Sequence, residues 1–281
     1  MKLHIYKYQG AGNDFVVIDN RKGDFNLNWK QIKLLCDRRF GIGSDGLMTL
    51  SKSSKASFKM DYYNCDGHLG TMCGNGGRCI VAFAHLLGFK NFTFEGYDGI
   101  HTADVLKAPQ GRKTQQKIIR LGIRDVKECT KYAKDTYLTD TGTEHYVEFV
   151  KNVDDYPVFE NGRKIRYHKD FQPNGMNANF VEVTPKGILK IRTYERGVED
   201  ETFACGTGST ATAIVAYCHG IKPATCKKVV LKDGSKGEKV KYNLKARGGD
   251  LAVEFTAAGG GFKDISLIGP ATLVFETDIV I

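Results

Sequence analysis

Two short segments of this chain join a cysteine to a glycine-rich stretch: Cys73-Gly74-Asn75-Gly76-Gly77 and Cys205-Gly206-Thr207-Gly208. Each precedes an apolar run of helical character, residues 79–87 in the first case and 210–217 in the second, closed by Gly88 and Gly220 as helix C-caps are. A cysteine at the mouth of such a helix meets unpaired backbone N–H groups and the positive end of the helix dipole, which favour thiolate over thiol. The same N–H groups bind carboxylates, and glycine lets a ligand approach the backbone closely. If two such ends face each other, a carboxylate held between them has one sulfur on either side of its α-carbon. One thiolate would then remove the α-proton while the opposite thiol delivers a proton to the other face, inverting the centre. The amides that hold the carboxylate would stabilise the enediolate charge of the transition state. A positioned proton-transfer group contributes about 10²–10⁴-fold, so electrostatics in a water-excluding site must supply much of the remainder.

The elements that must position these cysteines recur along the chain. Strand-like alternation at residues 2–8 and 15–19, a helix over 29–38 and a strand over 57–63 lead to Cys73. Strands are expected at 93–94, 117–122, 146–150 and 164–168, then a hairpin of 179–184 and 187–193 leads to Cys205, and further strands fill 229–281. Cys73 and Cys205 lie 132 residues apart, and Gly12-Asn13-Asp14-Phe15-Val16-Val17 lies 130 residues before Gly142-Thr143-Glu144-His145-Tyr146-Val147. Two matches at nearly one offset predict an internal duplication, with a cysteine at a helix N-terminus in each copy.

A chain of 281 residues, 41% of them hydrophobic, can bury one large or two medium cores. It opens without an apolar leader and contains no run of about 18 apolar residues, so neither secretion nor membrane spanning is expected. The eight cysteines (36, 65, 73, 79, 129, 205, 218 and 226) form no CxxC pair, which suits reduced thiols and argues against a disulfide scaffold or a structural zinc. No metal is expected. Outside Cys73 and Cys205, the cysteines read as small core residues. The net charge of +9 comes from scattered lysines interleaved with acids, with no basic stripe or stacking aromatics of a nucleic-acid site.

Several motifs together resemble the diaminopimelate epimerase family over essentially the whole chain: Gly10-Ala-Gly-Asn-Asp-Phe-Val-Val17, Arg38-Arg-Phe-Gly-Ile-Gly-Ser-Asp-Gly46, Asn64-Cys-Asp-Gly67, Met72-Cys-Gly-Asn-Gly-Gly-Arg78, Tyr194-Glu-Arg-Gly197 and Glu201-Thr-Phe-Ala-Cys-Gly-Thr-Gly208. The resemblance implies interconversion of LL- and meso-2,6-diaminopimelate in lysine and cell-wall precursor synthesis, by a cytoplasmic homodimer without a cofactor. It implies an α+β fold of two pseudo-symmetric lobes, each a mostly antiparallel sheet wrapped around a central helix. Residues 1–117 and 269–281 would carry Cys73, residues 118–268 would carry Cys205, and the active site would lie in the cleft between them. By position, Cys73 and Cys205 would be the catalytic thiols, and His145 and Glu195 would help set their protonation. Asn13, Asn64, Gly74, Asn75, Asn177, Glu195, Arg196, Gly206 and Thr207 would contact substrate, with Arg196 suited to a bidentate carboxylate pair. Two positions depart from the family pattern. Gly46 stands where some members carry a substrate-contacting glutamine, and Thr143 stands where many carry asparagine.

A proline racemase or hydroxyproline epimerase would apply the same thiol logic to a smaller substrate. Those enzymes usually carry histidine after the first Cys-Gly, where this chain has Asn75, and they lack the Gly-Asn-Asp-Phe opening. A thiol redox or binding protein with a regulatory Cys73–Cys205 bridge would work in, or require, the oxidised state. A cysteine hydrolase needs a Cys–His pair and has no use for a second cysteine. Bridging Cys73 to Cys205 removes both acid and base, so epimerisation should vanish on oxidation and return on reduction; full activity in a bridged form verified by mass would contradict the thiol pair.

Overall fold

Alternating apolar and polar residues in Lys2–Gly10 and Asn13–Asp19 make an antiparallel pair, in which Gly10 faces Asn13 across a two-residue turn. Ala11 and Gly12 both have positive φ there, the geometry that suits a tight hairpin to the twist of its strands. The structure is a computed structural model describing residues 2–106, 115–231 and 233–281. The chain divides into two units, Met1–Leu121 with Gly269–Ile281, and Gly122–Ile268.

In the first unit, helix α1 (Trp29–Cys36) carries the chain from Asn13–Asp19 to Gly46–Ser51, which pairs parallel to it. Asn28 caps α1 and exchanges hydrogen bonds with Gln31, a capping box that fixes the start of the helix. Phe58–Asn64 returns antiparallel, and α2 (Gly74–Leu86) follows. The strand Gly261–Val280 contributes its last part to this unit, pairing with Lys2–Gly10 on one side and Gln116–Gly122 on the other. Residues 75–84 of α2 are all buried. A helix apolar nearly all round must be enclosed, and this one packs on strands on several sides.

The second unit repeats the plan. Thr136–Asp140 and Glu144–Phe149 pair antiparallel, α3 (Val158–Arg166) crosses over to Asn177–Val183, which pairs parallel to Glu144–Phe149, and Leu189–Glu195 returns antiparallel. Helix α4 (Gly206–Cys218) follows, with residues 208–216 all buried and strands of the unit packed around it. The sequence of pairings, antiparallel, parallel, antiparallel and then a buried helix, is the same in both units, as the matching offsets predict. Gly88 and Gly220, with φ of +91° and +86°, end α2 and α4. In each, the next residue's N–H reaches back five residues, Phe89 to Ala84 and Ile221 to Ala216. No helix among the described residues is long and apolar enough to cross a membrane.

Three expectations need correction. Residues 164–168 form no strand: residues 164–166 are the last turn of α3, where Val158 and Ile165 at helical spacing reach the core and Arg163, Lys164 and Arg166 suit the negative end of the helix dipole. Helix α2 begins at Gly74 rather than Cys79, so its glycines lie in the first turn. Neighbouring side chains crowd two of them: a Cβ on Gly77 would sit 2.4 Å from Met72 Cε, and one on Gly76 3.0 Å from Met48 Sδ. Cys36 and Cys79 are core residues, but Cys65, Cys218 and Cys226 are exposed and Cys129 is half-buried. Cys65 falls in a turn, Cys218 ends α4, and Cys226 lies on the solvent-facing strand Thr225–Val230.

A Cβ on Gly162 of α3 would lie 2.2 Å from Tyr194 Cβ. Gly162→Ala should therefore destabilise the protein by about 1–3 kcal/mol in denaturant titrations, against a near-neutral change if α3 could pack elsewhere.

Candidate active site

In both units the cysteine is the N-cap of the buried helix. Cys73 has extended backbone (φ −107°, ψ 122°), and Cys205 nearly the same (φ −104°, ψ 118°). An extended N-cap can turn its side chain toward the first free N–H groups of the helix, and Cys205 does so, whereas the Cys73 side chain makes no cap hydrogen bond. Cys205 Sγ accepts from Gly208 N–H at 3.4 Å and lies 3.3 Å from Thr207 Oγ1. Around Cys73, the tight Ala11-Gly12 turn sets Asn13 beside the sulfur, and Asn13 Nδ2 donates to Cys73 Sγ at 3.8 Å. The absence of a side chain at residue 10 eases this close approach of the opening strand: a Cβ there would lie 3.0 Å from Asn75 O and 3.2 Å from Cys79 Sγ.

Asn13 is held by its neighbour. Asp14 accepts charge-assisted bonds from Lys7 Nζ at 2.6 Å and Arg38 Nη2 at 2.6 Å. Its backbone exchanges bonds with Asp45, Asp14 N–H donating to Asp45 Oδ2 at 3.1 Å and Asp45 N–H to Asp14 O at 2.9 Å. Burial pushes the Asp14 carboxyl up, but Arg38 and Lys7 outweigh it and hold the group below its ordinary value. This network ties the first two sequence motifs together and leaves Asn13 Oδ1 buried with no partner among the described residues. Asn64 ends its strand exposed, opposite Gly46 in the register. A Cβ on Gly46 would lie 2.6 Å from both Tyr62 Cε2 and Tyr63 O, so the tyrosine ring takes the space a side chain would use.

The second unit gathers His145, Asn177, Glu195, Arg196, Cys205, Gly206 and Thr207. Asn177 Nδ2 donates to Thr143 Oγ1 at 3.2 Å, and its Oδ1 accepts the backbone N–H of Arg196 at 2.8 Å. Arg196 Nη2 donates to Thr143 Oγ1 at 2.9 Å, and Nη1 to Gly175 O at 3.1 Å. One hydroxyl thus receives two donors, and Thr143 orients the guanidinium although it lacks an amide. Glu195 Oε2 accepts from Thr202 Oγ1 at 3.0 Å, and Thr141 Oγ1 donates to Thr207 O at 3.0 Å.

His145 is fully buried, and burial pushes its imidazole down to about 3. It is therefore neutral at physiological pH. Asn179, which sequence reasoning passed over, fixes its tautomer. Thr193 Oγ1 donates to Asn179 Oδ1 at 3.0 Å, and Asn179 Nδ2 donates to Tyr146 O at 2.9 Å and His145 Nδ1 at 3.1 Å. Because Nδ1 accepts, the proton sits on Nε2, which has no partner among the described residues. A Cβ on Gly208 would lie 2.4 Å from Asn179 Oδ1, which places this network against the first turn of α4. The available signal was Asn179 two residues after Asn177, on the same face of one strand.

Solved structures share this architecture. A phenazine biosynthesis protein of Bacillus anthracis matches with a TM-score of 0.72 at 14% identity, covering 100% of both chains. A hydroxyproline epimerase of Agrobacterium vitis matches at 0.63 and 14% identity, covering 99% of this chain and 91% of that one. The class is that of a duplicated α+β fold in which each half encloses one helix. Sequence resolves it further: the diaminopimelate epimerase family model matches residues 5–110 and 137–274, and the chain belongs to the diaminopimelate epimerase family, making it an isomerase. It is 44% identical to the diaminopimelate epimerase of Flavobacterium psychrophilum over 280 residues, 99% of this chain and all of that one. It is also 44% identical to that of Chlorobaculum tepidum over 235 residues, 80% and 88% of the two chains.

Between the unfolded histidine value near 6.5 and the folded value of about 3, the unfolded chain holds a proton that the folded chain does not, so acid favours unfolding. Wild-type stability should fall more steeply than that of His145→Gln between pH 6.5 and 5, by up to about 1.4 kcal/mol per pH unit; parallel slopes in urea titrations would show that His145 is not held neutral. Gly46→Gln should cost about 1–3 kcal/mol by the same measurement, and Tyr62→Ala should relieve part of that cost.

Proposed function

We propose that this chain interconverts LL- and meso-2,6-diaminopimelate, with Cys73 and Cys205 as the base and acid on opposite faces of one α-carbon. Membership of the family supports the reaction. The observation that carries the thiol pair is that two units of one topology each present a cysteine as N-cap of a buried, glycine-opened helix.

In this reading each unit, Met1–Leu121 with Gly269–Ile281 and Gly122–Ile268, supplies one half-site. The α-carboxylate lies on the N–H groups that open α2 and α4, among them those of Gly74, Asn75, Gly206 and Thr207, and these donors strengthen as enediolate charge develops. The thiolate on one side takes the α-proton and becomes a thiol. The thiol opposite gives its proton to the other face and becomes a thiolate, so each turnover leaves the pair reversed and ready for the opposite isomer. Asn13 orients the Cys73 sulfur, His145 offers its Nε2–H to the anion, and Glu195 helps to set thiol protonation. Arg196, steadied by Thr143 and Asn177, takes the carboxylate at the far end of the substrate, where Asn64 completes the contacts. The enzyme works as a cytoplasmic homodimer, and the thiol pair performs the proton transfer without pyridoxal phosphate.

Cys73→Ala and Cys205→Ala, each shown to be folded, should lower kcat on LL-diaminopimelate by at least about 10³-fold. Retention of turnover by either variant would remove that cysteine from the chemistry. Thr143→Ala should raise KM more than it lowers kcat, because it loosens a guanidinium remote from the reacting carbon.

A further inference from the structure

The motif that begins at Met72 ends in an arginine for which the proposed reaction has no use. Arg78 is fully buried. Its guanidinium folds back along the first turns of α2, Nη1 donating to Gly74 O at 3.2 Å, Nη2 to Asn75 Oδ1 at 2.8 Å and Nε to Pro270 O at 3.3 Å. All three acceptors are neutral, and among the described residues no Asp or Glu pairs with it. Arginine keeps its proton in proteins, so this interior holds a fixed positive charge, and an isolated buried charge is strongly disfavoured.

Two thiols are the groups whose negative charge would offset it, Cys79 and Cys73. Cys79 is fully buried, and burial pushes its thiol far up, so it stays neutral. Cys73 remains: a half-buried N-cap on the same helix, whose sulfur already receives an N–H from Asn13. The second unit supplies the contrast. At the offset of 132 residues, Thr210 stands in the place of Arg78, and its Oγ1 donates to Gly206 O, the counterpart of Gly74 O, at 3.1 Å. A hydroxyl suffices to satisfy that carbonyl, so capping alone does not account for a buried guanidinium.

We propose that Arg78 is a positioning residue for Cys73: its buried, acid-free charge holds the Cys73 sulfur as a thiolate in the free enzyme and so supplies the base of the thiol pair. This role rests on the thiol-pair reading, yet it is measured on the sulfur itself rather than through turnover. The other titratable groups around this end of α2 do not substitute for Arg78. Burial pushes Tyr8 and Tyr62 up, leaving both neutral. Asp14 is committed to Lys7 and Arg38, and Asp104, on the strand Ala103–Val105 packed against α2, is exposed.

Iodoacetamide alkylation of the reduced protein, followed by peptide mass spectrometry across pH, reads Cys73 against the exposed Cys65 and Cys226 as internal references. In the wild type, the midpoint for Cys73 should lie at least about one pH unit below theirs; Arg78→Gln should raise it by roughly one to two units, and Arg78→Lys should restore most of the shift. A wild-type Cys73 midpoint at or above that of Cys65, or a folded Arg78→Gln protein with an unmoved midpoint, would overturn the role. If Arg78→Gln does not fold, the wild-type and Arg78→Lys profiles decide: a Cys73 midpoint below Cys65 in both supports it, and one at or above Cys65 in either overturns it. Normal epimerase activity beside an unshifted Cys73 would reject Arg78 and leave the thiol pair standing. A shifted Cys73 in a protein that turns over no diaminopimelate would reject the assigned reaction and leave Arg78's effect intact.

Discussion

A helix enclosed by a sheet satisfies its side chains everywhere except at its ends, and its first turn always carries N–H groups without intrahelical partners. In both units a cysteine stands at the N-cap position of that end and glycines open the helix, and the rest of the architecture follows from keeping it so. The strand turns at Ala11-Gly12 and Gly142 bring Asn13 and the His145 strand up to the helix mouths, and the buried helices cannot slide because they are packed from several directions. A rigid cradle of donors of this kind stabilises developing negative charge without having to reorganise when the charge appears.

The two halves have diverged in how they surround that cradle. The first is built on charge, with Lys7, Asp14, Arg38 and Asp45 linking its loops and Arg78 sealed inside. The second places Thr193, Asn179 and an uncharged His145 in one chain of hydrogen bonds against the first turn of α4, while Arg196 donates to Thr143 and Gly175.

Much of this was legible in the sequence because glycine and cysteine have few structural substitutes. The Cys-Gly-x-Gly pairs, Gly88 and Gly220 fixed both central helices, and the doubled offset foretold two copies of one plan. What escaped had its cause in tertiary packing. Polar residues interrupt the helical period of α3, so its last turn passed for a strand until the approach of Gly162 to Tyr194 is considered. The neutrality of His145 was not legible in the sequence, because desolvation depends on everything packed around the ring and not on its neighbours in sequence. Asn179 and Arg78 lay inside segments already assigned to a strand and a motif, and only their hydrogen-bond partners separate them from ordinary structural residues. Cys65, Cys218 and Cys226 show the opposite error, since cysteine's general preference for the core says nothing of a turn, a helix end or an exposed strand.

The most direct test is the origin of the hydrogen in the product. With LL-diaminopimelate turned over in D₂O under initial-rate conditions, two opposed thiols predict that meso product carries one deuterium at the inverted α-carbon while unreacted LL-isomer keeps protium. Product that retains the original protium would mean that a single group takes and returns the proton, and would contradict the paired cysteines at the centre of this account.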